Sequence, residues 1–170
     1  FIEITKGGER LSNLRPISAE DLLMRNPVTP NKKLLGGSIF CKNILVSGAG
    51  GSIGSELCRQ ILYLRPKKLV LLEQNEPSLY LIYQELREIL VSTSSNVEVI
   101  PILGNACDKN LVRRVFGDNN INVIFHSAAH KHVPLVELNP LEGLKNNILS
   151  TLILSSVALE LGVYKFTLIS

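Results

Sequence analysis

Cysteine is scarce in this sequence: Cys41, Cys58 and Cys107 are an odd set with no CxxC spacing. That excludes a disulfide framework and a zinc ribbon, and it fits a reducing, cytoplasmic setting. Long apolar runs are lacking as well. No segment reaches the ~18 to 20 continuous apolar residues of a membrane span, and no charged-then-apolar signal opens the chain, so these residues are expected to be soluble. Charge is sparse, at 19% of residues, and 18 basic against 15 acidic side chains leave a net charge of +3. The basic residues are scattered or stand in short pairs such as Lys32-Lys33, Lys67-Lys68 and Arg113-Arg114. Such pairs read as solvated surface and give no nucleic-acid footprint.

What is present is apolar material, 45% of 170 residues, enough for one core with a short appendage. Phe1 replaces an initiator Met, and the apolar run Lys165 to Ser170 reads as a buried strand, so both ends are expected to be cuts in a longer protein. Residues 1–40 are rich in turn formers (Gly7-Gly8, Pro16, Pro27, Pro30, Gly36-Gly37) and are expected to form a linker or arm. Within it, Ser18 with Asp21 three residues on predicts a short capped helix.

Residues 41–170 alternate short apolar runs with longer segments of helical period. Strands are expected at Asn43–Ser47, Lys68–Leu72, Val97–Leu103, Asn122–His126 and Tyr164–Ile169, each buried on both faces. Helices are expected at Ser52–Leu64, Pro77–Val91, Lys109–Phe116 and Pro140–Leu161. In the first, Ile53, Leu57, Ile61 and Leu64 share one face, and Pro66 stops the helix. The alternation predicts an α/β fold with a doubly wound parallel sheet.

The sharpest local signal is Ser47-Gly48-Ala49-Gly50-Gly51-Ser52-Ile53-Gly54, where the first strand meets the first helix. Backbone N–H groups at such a turn can be brought against a pyrophosphate, and glycine lets the chain bend and come close. Gly48 permits the turn, Gly51 the close approach and Gly54 the packing of helix on strand. Ser52 and Ile53, opening the helix, belong to the same phosphate cradle. The spacing is GxxGxxG, and the strand before and amphipathic helix after it supply the context a dinucleotide site requires.

The second strand ends in Glu73, about 25 residues after the first glycine. A carboxylate there can accept from both adenosine ribose hydroxyls and repels a 2′-phosphate, which favours NAD over NADP. The same carboxylate could instead cap the strand end or begin the next helix. Gln74 and Asn75 follow, with no arginine to clamp a 2′-phosphate. After the third strand, Asn105 and Ala106 are expected beside the adenine, and Asp108 as the cap of the next helix.

The fourth strand runs into His126-Ser127-Ala128-Ala129-His130-Lys131-His132-Val133-Pro134-Leu135-Val136-Glu137, then Asn139-Pro140-Leu141-Glu142 and Lys145-Asn146-Asn147-Ile148. With Gly48 to Glu56 and the lead-in Arg15 to Leu23, these blocks resemble the nucleotide-sugar dehydratases of the CapD-like polysaccharide-biosynthesis family. The resemblance spans essentially the whole chain. Ser127 in place of Ala and Ser150 in place of Gly depart from the family pattern.

The resemblance implies the N-terminal half of an extended short-chain dehydrogenase fold, of the Rossmann type. It implies an enzyme that oxidises C4 of a UDP-linked N-acetylhexosamine with bound NAD(P), loses water across C5 and C6, and returns the hydride to C6. Epimerases of the same superfamily share the first step, so that alternative stays open. The family's acid and base are expected just after Ser170, leaving no catalytic residue in this chain and predicting that it alone is inactive. The resemblance further implies a homo-oligomer when complete. Upstream segments would anchor the protein to the cytoplasmic face of a bacterial inner membrane.

Read from the residues, Ser127, Ala128 and Ala129 are small where backbone must lie along a cofactor. Lys131 can donate to nicotinamide-ribose hydroxyls or to a substrate diphosphate, or be an exposed loop lysine. His132 is expected to wall the sugar pocket. Asn147 resembles the asparagine that props the active-site helix of short-chain dehydrogenases. His126, His130 and His132 lie close in sequence, but no carboxylate or thiolate sits at zinc spacing, so no metal is expected. A non-catalytic NAD-binding module and a structural domain with an empty site remain as rival readings.

Overall fold

The computed structural model describes residues 32–169. The helix expected at Ser18, the lead-in Arg15 to Leu23 and residue Ser170 lie outside the described residues. A helix α1 (Lys32–Ile39) comes first, inside the stretch expected as an arm, and its last residue, Ile39, belongs to the core. There follow β1 (Asn43–Ser47), α2 (Ser52–Tyr63), β2 (Lys68–Glu73), α3 (Glu76–Ser92) and β3 (Glu98–Leu103). The second half holds α4 (Lys109–Asn119), β4 (Val123–His126), α5 (Val133–Leu138), α6 (Pro140–Leu144), α7 (Ser150–Glu160) and β5 (Lys165–Leu168).

The five strands form one sheet in the order β3-β2-β1-β4-β5, and every neighbouring pair is parallel. This is the doubly wound arrangement read from the sequence, with its switch point between β1 and β4. Side chains of a strand alternate between faces, and the core is built on that period. Ile44, Val46, Leu69, Leu71 and Val123 meet α2 and α3 on one face. Leu45, Val70, Leu72 and Ile124 meet α4 and α7 on the other. Arg59 fastens α2 to α3 through a two-point contact with Glu85 at 2.6 and 2.9 Å.

Two expectations are corrected. β1 and β2 are buried on both faces, but β3 and β5 are half-exposed, because each is an outer strand of the described sheet with a single neighbour. The buried face of α2 is Gly54, Cys58, Ile61 and Leu62, whereas Ile53 is 57% exposed. Close packing of Gly54 on the glycine turn sets that rotation. The helix expected over Pro140–Leu161 is found over Pro140–Glu160, as α6, a π-helical turn at Lys145–Leu149, and α7. The hydroxyls of Ser150 and Thr151 bond back to the carbonyls of Asn146 and Asn147, a pattern that bends helices. α5 is a further short helix, started by Pro134 near its N-terminus, where only a loop was expected.

Candidate functional site

The carboxyl ends of β1 and β4 part at the switch point, and the glycine turn fills the gap. Gly48 has φ of +68°, and a Cβ there would stand 2.7 Å from the Ala128 backbone. Gly54 is bound tighter still, since its Cβ would come 1.9 Å from the Gly48 carbonyl oxygen. Both glycines are required by the chain itself. Gly51 is different: an added Cβ would meet only the Gly48 oxygen, at 3.3 Å, and its remaining surroundings are cavity. Gly50, passed over in the sequence, packs on Ser78, where a Cβ would approach to 2.5 Å. The signal that could have found it is the second glycine of the Gly48-Ala49-Gly50-Gly51 run.

Gly51 is the N-cap of α2 and brings no side-chain acceptor, so the first-turn amides, including those of Ser52 and Ile53, are left uncapped beside the cavity. A helix start of this kind favours an anion.

Two cavities open from the turn. The first, of about 190 Å³, brings together Gly48, Gly51, Glu73, Gln74, Asn105 and Ala106, with Ser127, Ala128 and Ala129 opposite. Adjoining it, a cavity of about 780 Å³ gathers Ser52, Ile53, Gly54, Lys131 and His132. Leu135 and Val136 of α5, Glu142 and Gly143 of α6, and Ile169 complete its wall. Sequence reasoning missed the α5 and α6 residues because their approach depends on the unforeseen α5–α6 corner, and Ile169 because it was read only as the end of a buried strand. The segment Ser127 to His130 is common to both cavities, except that Ala128 lines the first alone.

Glu73 closes the end of β2 and also lines the first cavity. Its carboxylate faces the first cavity and accepts from Gly50 N–H at 3.0 Å and from Gln74 and Asn75 N–H at 2.9 Å each. Asn75 lines neither cavity; its side chain caps α3 by accepting from Ser78 N–H. Asn105 Oδ1 accepts from Cys107 N–H at 2.8 Å, and Asp108 caps α4 as expected. Asn147 also lies outside both cavities. Its amide clasps His130, accepting from the backbone N–H at 2.8 Å and donating to the carbonyl at 3.1 Å.

The three histidines diverge. His126 is buried beneath the loop, where desolvation pushes its pKa down to about 4. His130 faces Glu142 at 4.0 Å, and His132 is the N-cap of α5. Among the described residues, no group of three or more His, Cys, Asp or Glu side chains is placed to hold a metal ion. Among the same residues, no helix is long and apolar enough to cross a membrane.

Comparison with known proteins agrees with this geometry. CapD of Staphylococcus aureus, a capsular polysaccharide biosynthesis protein, is 40% identical over 168 residues, covering 99% of this chain and 28% of the relative. A UDP-N-acetylglucosamine 4,6-dehydratase (inverting) of Campylobacter jejuni is 32% identical, covering 73% of this chain and 34% of that enzyme. The solved structure of UDP-glucose 4-epimerase from Bifidobacterium longum, in complex with NAD+ and UDP, superimposes with a TM-score of 0.62 at 26% identity. It covers 75% of this chain and 36% of that one. The chain thus spans about a third of the length of such proteins. Residues 44–170 match the family described as polysaccharide biosynthesis protein, and the chain belongs to that family.

Proposed function

We propose that this chain is the dinucleotide-holding part of a nucleotide-sugar 4,6-dehydratase that acts on a UDP-N-acetylhexosamine in bacterial polysaccharide biosynthesis. NAD, in preference to NADP, is its cofactor. The observation that carries this reading is the convergence of Glu73 and the glycine turn in one cavity that continues into another beside Lys131 and His132. The relatives' names support the choice of chemistry.

The residues fit a dinucleotide. The uncapped start of α2 suits a pyrophosphate, and the missing side chain at Gly51 leaves room for it. Glu73 Oε2, which takes only the Gly50 N–H, has a further lone pair with which to accept from a ribose hydroxyl, and the charge would repel a 2′-phosphate. Gln74 stands at the same rim, while Asn75 supports it from the N-cap of α3. Asn105 and Ala106 bound the adenine end. Ser127, Ala128 and Ala129 let the cofactor lie close to backbone. NAD supplies reversible hydride acceptance for transient oxidation at the sugar C4. Lys131 donates to ribose hydroxyls or to the substrate diphosphate, His132 walls the sugar, and Asn147 holds the loop between them.

This reading assigns the acid and base to the part of the enzyme that the chain does not span, so the 170 residues alone bind NAD without forming product. The complete protein is a homo-oligomer at the cytoplasmic face of the inner membrane. Exposed Leu141, Leu144, Ile148 and Leu152 support the association. A second reading, a nucleotide-sugar epimerase, is favoured by the likeness to the epimerase holding NAD+ and UDP.

Calorimetric titration of the chain with NAD and NADP is the first test, with NAD expected to bind about tenfold or more tightly. Absence of NAD binding sinks the reading. The full-length protein with UDP-N-acetylglucosamine is expected to yield a 4-keto-6-deoxy sugar. A product inverted at C4 with its 6-hydroxyl retained would establish the epimerase instead.

A further inference from the structure

Beneath the loop shared by the two cavities lies an imidazole that the proposed function leaves unused. His126 ends β4 and is 1% exposed. Its Nδ1 stands 2.7 Å from Ser47 Oγ, and its Nε2 stands 2.9 Å from Thr151 Oγ1.

The neighbouring hydroxyls fix its protons. Thr151 Oγ1 donates its single hydrogen to the Asn147 carbonyl at 3.0 Å, so towards His126 it can only accept. Nε2 therefore carries the hydrogen. Ser150 Oγ, 3.4 Å from Nε2, likewise gives its hydrogen away, to the Asn146 carbonyl. In a neutral ring Nδ1 is then bare and accepts from Ser47 Oγ–H. Burial keeps the ring neutral at pH 7 by holding its pKa down at about 4.

Each end of this relay leads to the cavity wall. The Ser47 carbonyl accepts Ser127 N–H at 3.1 Å and Ser127 Oγ–H at 2.8 Å, and Ser47 directly precedes Gly48. Thr151 sits one turn after Asn147, which clasps both backbone groups of His130. The wall from Ser127 to His130 is held at its first residue by Ser47 and at its last by Asn147. His126 joins the two holders.

We propose that His126 is a positioning residue: as the Nε2–H tautomer it couples Ser47 to the π-helical turn carrying Asn147, and so fixes the Ser127–His130 wall against the dinucleotide. The ligand rests on the reading given above, whereas the coupling is a property of the chain alone. A histidine that merely filled space would be indifferent to the loss of one neighbouring hydroxyl.

The test uses the ¹⁵N-labelled chain and the variants Thr151→Val and Ser47→Ala, each of which removes one end of the relay with little change in shape. Ring nitrogen shifts are expected to show a neutral Nε2–H tautomer in the wild type. Each variant is expected to speed amide exchange at Ser127 and His130, whose N–H groups bond to Ser47 and Asn147, about tenfold and to weaken NAD binding by about as much, the double variant losing less than the product. An Nδ1–H or charged ring at neutral pH overturns the proposal. So do variants that melt earlier yet keep wild-type loop exchange and NAD affinity. If the wild type binds no NAD, the functional reading falls, and the tautomer and exchange results still decide the coupling. Should one variant fail to fold, the other carries the same readouts.

Discussion

Glu73 Oε2 accepts the Gly50 amide at 3.0 Å, tying the loop after β2 to the glycine turn after β1. Its other oxygen takes Gln74 and Asn75 N–H, so one carboxylate organises donors from two turns. Glu73→Gln leaves one acceptor for three donors and sets an amide NH2 against Gly50 N–H. We expect NAD affinity to fall more than about tenfold with no gain for NADP, because the turn itself loosens. Titration with both dinucleotides checks this, and improved NADP binding on an intact fold would show that the clamp is dispensable.

Gly54 and Gly51 separate folding from binding. A methyl at Gly54 drives into the Gly48 carbonyl, so Gly54→Ala is expected to cost about 2 kcal/mol or more in urea denaturation. Gly51→Ala meets only a 3.3 Å contact and is expected to melt near the wild-type temperature while binding NAD more weakly. Equal destabilisation by the two would contradict the geometry.

His126 makes stability depend on pH. Its folded pKa of about 4 lies below the ~6.5 of an exposed imidazole, so as pH falls the unfolded chain takes up the proton first. The contribution is complete above about pH 6.5, declines below it, and is lost by about pH 4, a span of roughly 3 kcal/mol. Urea midpoints across that window are expected to fall in the wild type, and the His126→Gln slope to be flatter.

The cysteines should label in order of access. Cys41 is exposed, whereas Cys58 is fully buried with its thiol pushed up to about 12. Cys107 is half-buried, its thiol donating to the Lys145 carbonyl. A maleimide reagent is expected to take Cys41 first, Cys107 next and Cys58 only on unfolding. Mass spectrometry of the labelled peptides gives the order.

The strands and the glycine turn were legible because each is a local pattern: an apolar run of strand length, and glycines where backbone must bend. Glu73 was legible by its place after β2, but its bond to Gly50 was not, since that contact joins residues far apart in the chain. The face of α2 was misjudged at Ile53 because hydropathy spacing does not register that Gly54 must seat on Gly48. The π-helical turn at Lys145–Leu149 escaped because it goes with hydroxyls and an amide reaching other backbone, and apolar periodicity carries no trace of those bonds. His130 was weighed only with the other histidines and Glu142 only as part of a sequence block, since their meeting depends on the α5–α6 corner.

The π-helical turn also makes the wall sensitive to a change of length. An α-helix advances about 100° per residue, so removing one residue from 145–149 would restore a continuous helix and rotate α6 by about that angle relative to α7. Asn147 would swing away from His130, while the sheet and the glycine turn stayed as they are. A single-codon insertion or deletion at this turn therefore acts as an angular adjustment of the cleft, open to evolution without any substitution in the cleft itself.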